Sequence, residues 1–66
     1  MTHVMTYWVK ILRGDAEVAS VPMGGPQQKA EHFASAQLPI KARLLGATSV
    51  QVIEVASRAV VFKISN

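Results

Sequence analysis

Along residues 3–13 apolar and polar positions alternate, with Met5, Tyr7, Val9 and Ile11 on one side and Thr6, Trp8, Lys10 and Leu12 on the other. A period of two predicts a strand with a mainly apolar face and a mixed one. Gly14-Asp15 then offers the positive φ that a tight turn requires, and residues 17–23 supply a second extended run. Residues 3–23 therefore read as a hairpin. A two-residue loop sets Ile11 opposite Val18 and Trp8 opposite Val21. Pro22 has no N–H to give to a ladder, so it marks the second strand as an edge strand or ends it.

Met23-Gly24-Gly25-Pro26 is punctuation, and Pro26 suits the first position of a helix, where a missing N–H costs nothing. From Gln27 the period changes to that of a helix, with Ala30, Phe33, Ala34 and Leu38 on one stripe. Pro39 is expected to kink or end this helix, because its ring crowds the carbonyl four residues back. Beyond it Ile40, Leu44 and Leu45 continue an apolar stripe that Gly46 would cap, giving a helical region over residues 26–45.

The period returns to two from Ser49, and residues 49–65 read as a second hairpin rich in β-branched side chains. A turn at Ser57-Arg58 pairs Val55 with Val60, Ile53 with Phe62 and Gln51 with Ile64, and this set is assigned to the core beside Phe33. The predicted fold is a single α+β domain over residues 1–66, ordered ββαββ, with a four-stranded, mainly antiparallel sheet and one helix, Pro-kinked or not, packed on one face. One helix covers one face only. The other face would carry Thr6, Trp8, Lys10, Ala19, Val21, Val50, Val52, Glu54, Val61 and Lys63, a set too apolar for water alone. Such patches mark interfaces, with Trp as a common anchor. A slip of one residue in register would send part of this set into the core.

Composition narrows the classes. Half of the residues are hydrophobic and 17% are charged, which excludes disorder as a reading of the whole chain. A chain of 66 residues buries only about 60% of its unfolded surface, which leaves little room for a deep catalytic cleft. The absence of Cys removes disulfide staples and thiolate metal sites. No run approaches the roughly 18 apolar residues that span a bilayer, and residues 1–13 lack the features of a signal peptide. A cytoplasmic protein without membrane partners is expected.

Candidate chemistry is sparse. Asp15, Glu17, Glu31 and Glu54 have no spacing that makes two of them converge as acid and base. His3 and His32 lack a third ligand at a recognisable spacing, and no Ser or Thr stands in a nucleophile motif. No catalytic, cofactor-binding or metal site is expected, and the chain reads as a non-enzyme. The Gly24-Gly25 stretch before the helix lacks the Lys and hydroxyl of a phosphate loop and reads as a turn. Arg13-Gly14-Asp15 spells an integrin-binding tripeptide, but Gly-Asp is also ordinary turn chemistry.

The remaining candidates are surfaces. Seven Lys and Arg against four acids give a net charge of +3, which favours an anionic partner. The expected partner-binding residues are Trp8, Lys10, Val21, Val52, Val61 and Lys63. For nucleic acid, Lys10, Arg13, Arg58 and Lys63 would meet phosphates and Trp8 a base. A homodimer through the open face would also enlarge so small a core.

The strand Tyr7-Trp8-Val9-Lys10-Ile11-Leu12, the helix around Ala30-Glu31-His32-Phe33-Ala34 and the closing strand Val60-Val61-Phe62-Lys63-Ile64 follow one another in the order hairpin, helix, hairpin. In size, charge and element order the chain resembles small phage-encoded anti-CRISPR inhibitors of type I surveillance complexes. The resemblance covers nearly the whole chain. It implies a mode, stoichiometric blocking of a larger nucleoprotein complex by surface contact. Those inhibitors share no diagnostic motif, so the resemblance assigns no residue. The basic balance here departs from the acidic style of DNA mimics.

Overall fold

The structure, a computed structural model, describes residues 6–66; His3 and Met5 of the expected first strand lie outside the described residues. Five elements follow the predicted order: β1 (Tyr7–Arg13), β2 (Ala16–Met23), α1 (Gln27–Leu45), β3 (Ser49–Glu54) and β4 (Val60–Ser65). They form a four-stranded antiparallel sheet in the order β2-β1-β3-β4, open at both edges, with α1 across one face. Both β2 and β3 run antiparallel to β1, so they are parallel to each other. The helix is the crossover that joins these two parallel strands on either side of β1.

The core lies between α1 and the two central strands. Val9, Ile11, Val50 and Val52 are fully buried, and Tyr7 nearly so. Above them the helix presents Ala30, Ala34 and Leu38, all buried. Two alanines four residues apart lie on one helix face, and their small side chains let the helix axis approach the sheet. Phe33 and Phe62 complete the core from the side, packed against it but partly exposed.

The helix runs unbroken through Pro39. Pro39 lies on its exposed side, away from the sheet, and there water can serve the Ser35 carbonyl that the ring leaves without a donor. Pro26 is the N-cap rather than the first helical residue. Gly46 ends the helix as expected, at φ 70°, with its N–H donating to Ala42 O at 3.2 Å and that of Ala47 to Lys41 O at 3.3 Å. The Arg13 side chain lies over this cap.

Both hairpins depart from the expected registers. In the first, Gly14-Asp15 is the two-residue loop, with Arg13 opposite Ala16 and Leu12 opposite Glu17. A β-bulge then leaves Val18 unpaired, so Ile11 faces Ala19 and Trp8 faces Pro22. Val21 pairs with Val9 and belongs to the helix side, not to the open face. In the second hairpin the connection spans residues 55–59 rather than two residues, and Val61 is the extra residue of a second bulge. Phe62 therefore pairs with Val52 and Ile64 with Val50. Relative to the expected pairing β3 is turned over. Val50 and Val52 enter the core, and Gln51, Ile53 and Val55 take the open face.

Candidate interaction surface

Cross-strand neighbours share a face, so the open side can be read along its rows. One row is Pro22, Trp8, Ile53 and Val60; the next is Ser20, Lys10, Gln51 and Lys63. Thr6 and Val55 close the end of the face nearest the β3–β4 turn, where the Val55 N–H donates to Thr6 O at 3.1 Å. Trp8 is 39% exposed and Val60 52%. An apolar strip thus crosses the sheet beside a polar, cationic one.

A cleft of about 340 Å³ on this face is lined by Trp8, Lys10, Ile53, Val55 and Arg58. Lys10 is held from two directions. Its Nζ is 5.4 Å from the centre of the Trp8 ring and 3.4 Å from Glu17 Oε1 on the neighbouring strand. Both contacts are partly exposed, and each contributes of the order of a few tenths of a kcal/mol. Strand alternation puts the indole and the ammonium on one side of the sheet, and these contacts hold the two groups next to each other.

Arg58 reaches the cleft from the turn. It has φ 62°, the one positive value among the described residues that are not glycine. A side chain in that region costs roughly 1–2 kcal/mol, where glycine would sit freely. The turn enforces it through several bonds. The Arg58 N–H donates to Glu54 O at 2.7 Å, the Ser57 hydroxyl to Glu54 Oε1 at 2.6 Å, and the Ala59 N–H to Ser57 Oγ at 3.2 Å.

The expected site residues divide accordingly. Trp8, Lys10 and Lys63 share the open face, and Arg58 joins them at its rim. Val52 is fully buried beneath the helix, so it offers nothing to a partner. Val21 and Val61 are also corrected: both are packed against the core, Val21 through its pairing with Val9 and Val61 through its bulge. Of the other residues expected on this face, Ala19 and Val50 flank Ile11 and Glu54 pairs with Tyr7, which puts all three on the helix side. Arg13 stands at the other end of β1, against the helix cap, and does not join Arg58.

Pro22, Ile53, Val55 and Val60 are the residues that sequence reasoning missed. A signal for Ile53 was present: in Val50-Gln51-Val52 the polar residue stands between two valines, which assigns the valines inward and Gln51 with Ile53 outward.

A second recess, of about 280 Å³, lies between α1 and β4 and is lined by Glu31, His32, Ser35 and Phe62. Gln27 Nε2 donates to Glu31 Oε2 at 2.8 Å across one helical turn. Among the described residues, no group of three or more His, Cys, Asp or Glu gathers at metal-binding distance. Nor is any helix there long and apolar enough to cross a membrane. No family model, no curated protein and no solved structure matches the chain.

Proposed function

We propose that the chain is a small, non-enzymatic protein-binding module that works through the open side of its sheet, with Trp8 as the anchor and Lys10 and Lys63 beside it. The observation that carries this reading is the contiguous apolar strip of Pro22, Trp8, Ile53 and Val60 on the face opposite the helix. Apolar surface gathered at one place, centred on an aromatic side chain and bordered by cations, has the make-up of a hot spot with its rim. The partner class is a nucleoprotein complex that the domain blocks by contact, as phage-type inhibitors resembling this chain do.

Adding the purified protein to type I surveillance complexes and following target-DNA capture by gel shift tests this. Wild type should abolish capture near stoichiometric ratio. Trp8→Ala should weaken that effect about tenfold or more, as expected for a hot-spot residue, with the domain still folded by circular dichroism. Leu44→Ala, on the exposed side of the helix, should act as wild type does. Undisturbed DNA capture with wild type removes the inhibitor reading, and equal potency of Trp8→Ala removes this face.

Direct nucleic-acid binding is the second reading, because Lys10, Lys63 and Arg58 border the same face as the indole. It predicts oligonucleotide affinity that falls linearly in log salt. Against it, Lys10 is already paired with Glu17 and Arg13 lies apart. A homodimer through this face is a third reading, and sedimentation at micromolar concentration separates it from a monomer.

A further inference from the structure

We infer that the cleft between Trp8 and Arg58 receives an acidic segment of a partner protein: an apolar side chain enters against Trp8, Ile53 and Val55, and a neighbouring carboxylate meets the Arg58 guanidinium. This rests on the docking reading above and names the chemistry of its partner. Three observations carry it.

The first is the unequal state of the two cations at the cleft. Lys10 already has a counter-charge in Glu17 and an aromatic face in Trp8. Arg58 makes no ion pair among the described residues, and the nearest acid in sequence, Glu54, takes the Ser57 hydroxyl on Oε1. A planar guanidinium presents a fork that fits a carboxylate in two parallel hydrogen bonds.

The second is the backbone of Arg58. Its left-handed conformation is fixed by the hydrogen bonds of the turn, and glycine would hold the same turn without the steric cost. Strain of this kind, observed at the mouth of a cleft, points to a side chain needed there for something other than the fold.

The third is the walls. Ile53 and Val55 are aliphatic and give a nucleobase no second stacking surface, whereas they suit a Leu, Ile or Phe side chain. At the cleft the cations that a phosphate backbone would track are few, since Lys10 is paired with Glu17, Lys63 does not line it and Arg13 stands at the far end of β1. One uncompensated cation beside an apolar slot matches one carboxylate beside one apolar side chain.

Selection of a randomised heptapeptide display library on the wild-type protein, with counter-selection on Trp8→Ala, tests the assignment. The expected consensus is an aliphatic or aromatic residue with Asp or Glu within two positions of it. A synthetic peptide of that sequence, titrated by Trp8 fluorescence, should bind Arg58→Gly about tenfold more weakly than wild type. The melting midpoint of Arg58→Gly should lie at or above that of wild type, so lost binding cannot be assigned to lost structure. A basic or uncharged consensus, no enrichment over the counter-selection, or equal affinity for Arg58→Gly overturns the proposal. So does an oligothymidylate that displaces the peptide and itself depends on Arg58. If the peptides fail while Trp8→Ala still loses inhibition in the gel shift, the docking reading stands and the acidic partner falls. If Trp8→Ala and Arg58→Gly both inhibit as wild type does, both fall.

Discussion

Ile11 and Trp8 lie three positions apart on one strand and have opposite environments. Ile11 has no exposed surface and sits under the helix beside Val50 and Ala19; Trp8, the largest side chain of the molecule, lies between Pro22 and Ile53 on the uncovered side. The same contrast repeats on β3, where Val52 is fully buried and Ile53 beside it faces outward. The helix side is closed: Ala30, Ala34 and Leu38 of α1 pack on Tyr7, Val9, Ile11, Val50 and Val52, with Phe33 and Phe62 against them. The open side collects Trp8, Ile53 and Val60, which no element among the described residues covers. Burial on the first face explains why the domain folds, and the second face is the one to which the proposed docking role is assigned.

Pairs of substitutions across the sheet test this contrast most directly. Ile11→Ala leaves a cavity in a closed core and should cost about 2–5 kcal/mol, enough to unfold much of so small a domain. Trp8→Ala, which removes more atoms from a partly wet site, should cost less than Ile11→Ala. Urea titrations followed by circular dichroism compare the two, and a larger loss for Trp8→Ala would show that the indole serves the core.

Restoring a donor to the helix sharpens the account of its outer side. Pro39→Ala returns an N–H to the Ser35 carbonyl, and should raise stability by about 1–3 kcal/mol, the scale of a proline's cost inside a helix. An unchanged melting midpoint would mean that the exposed carbonyl is already fully served by water. The smallest effect belongs to the polar strip. Glu17→Gln removes the partner of Lys10 and should change stability by no more than about 0.5 kcal/mol. Its informative readout is the acidic peptide selected on wild type, which should bind Glu17→Gln more tightly once Lys10 is released.

The element order and the single helix were legible because each hydrophobic period is long enough to be distinctive, and because Gly14 and Gly46 stand where a turn and a cap need positive φ. Trp8, Lys10 and Lys63 were placed on the open face correctly. The errors at Val21, Val52 and Val61 have one physical origin. A side chain's face depends on the parity of its register, and one unpaired residue reverses that parity for everything beyond it. Val18 and Val61 mark the two bulges, and valine carries no signature of one. The left-handed Arg58 was equally hidden, because that conformation normally selects glycine or asparagine. The residues that define the cleft were therefore available from composition, but their gathering at one place depended on two irregularities that only the paired strands reveal.

The strand order carries a consequence for how the molecule comes together. β1 is central, yet one of its neighbours, β3, begins at Ser49, three-quarters of the way along the chain. While the protein is being synthesised, the first hairpin can form with its inner edge bare, and that edge stays open until β3 has emerged. Pairings between segments so distant are slow to form, because chain entropy is lost before contacts repay it. The first half should therefore hold no lasting structure by itself, and the domain should gain its order in one step, as β3 slots in beside β1 and the helix closes over both.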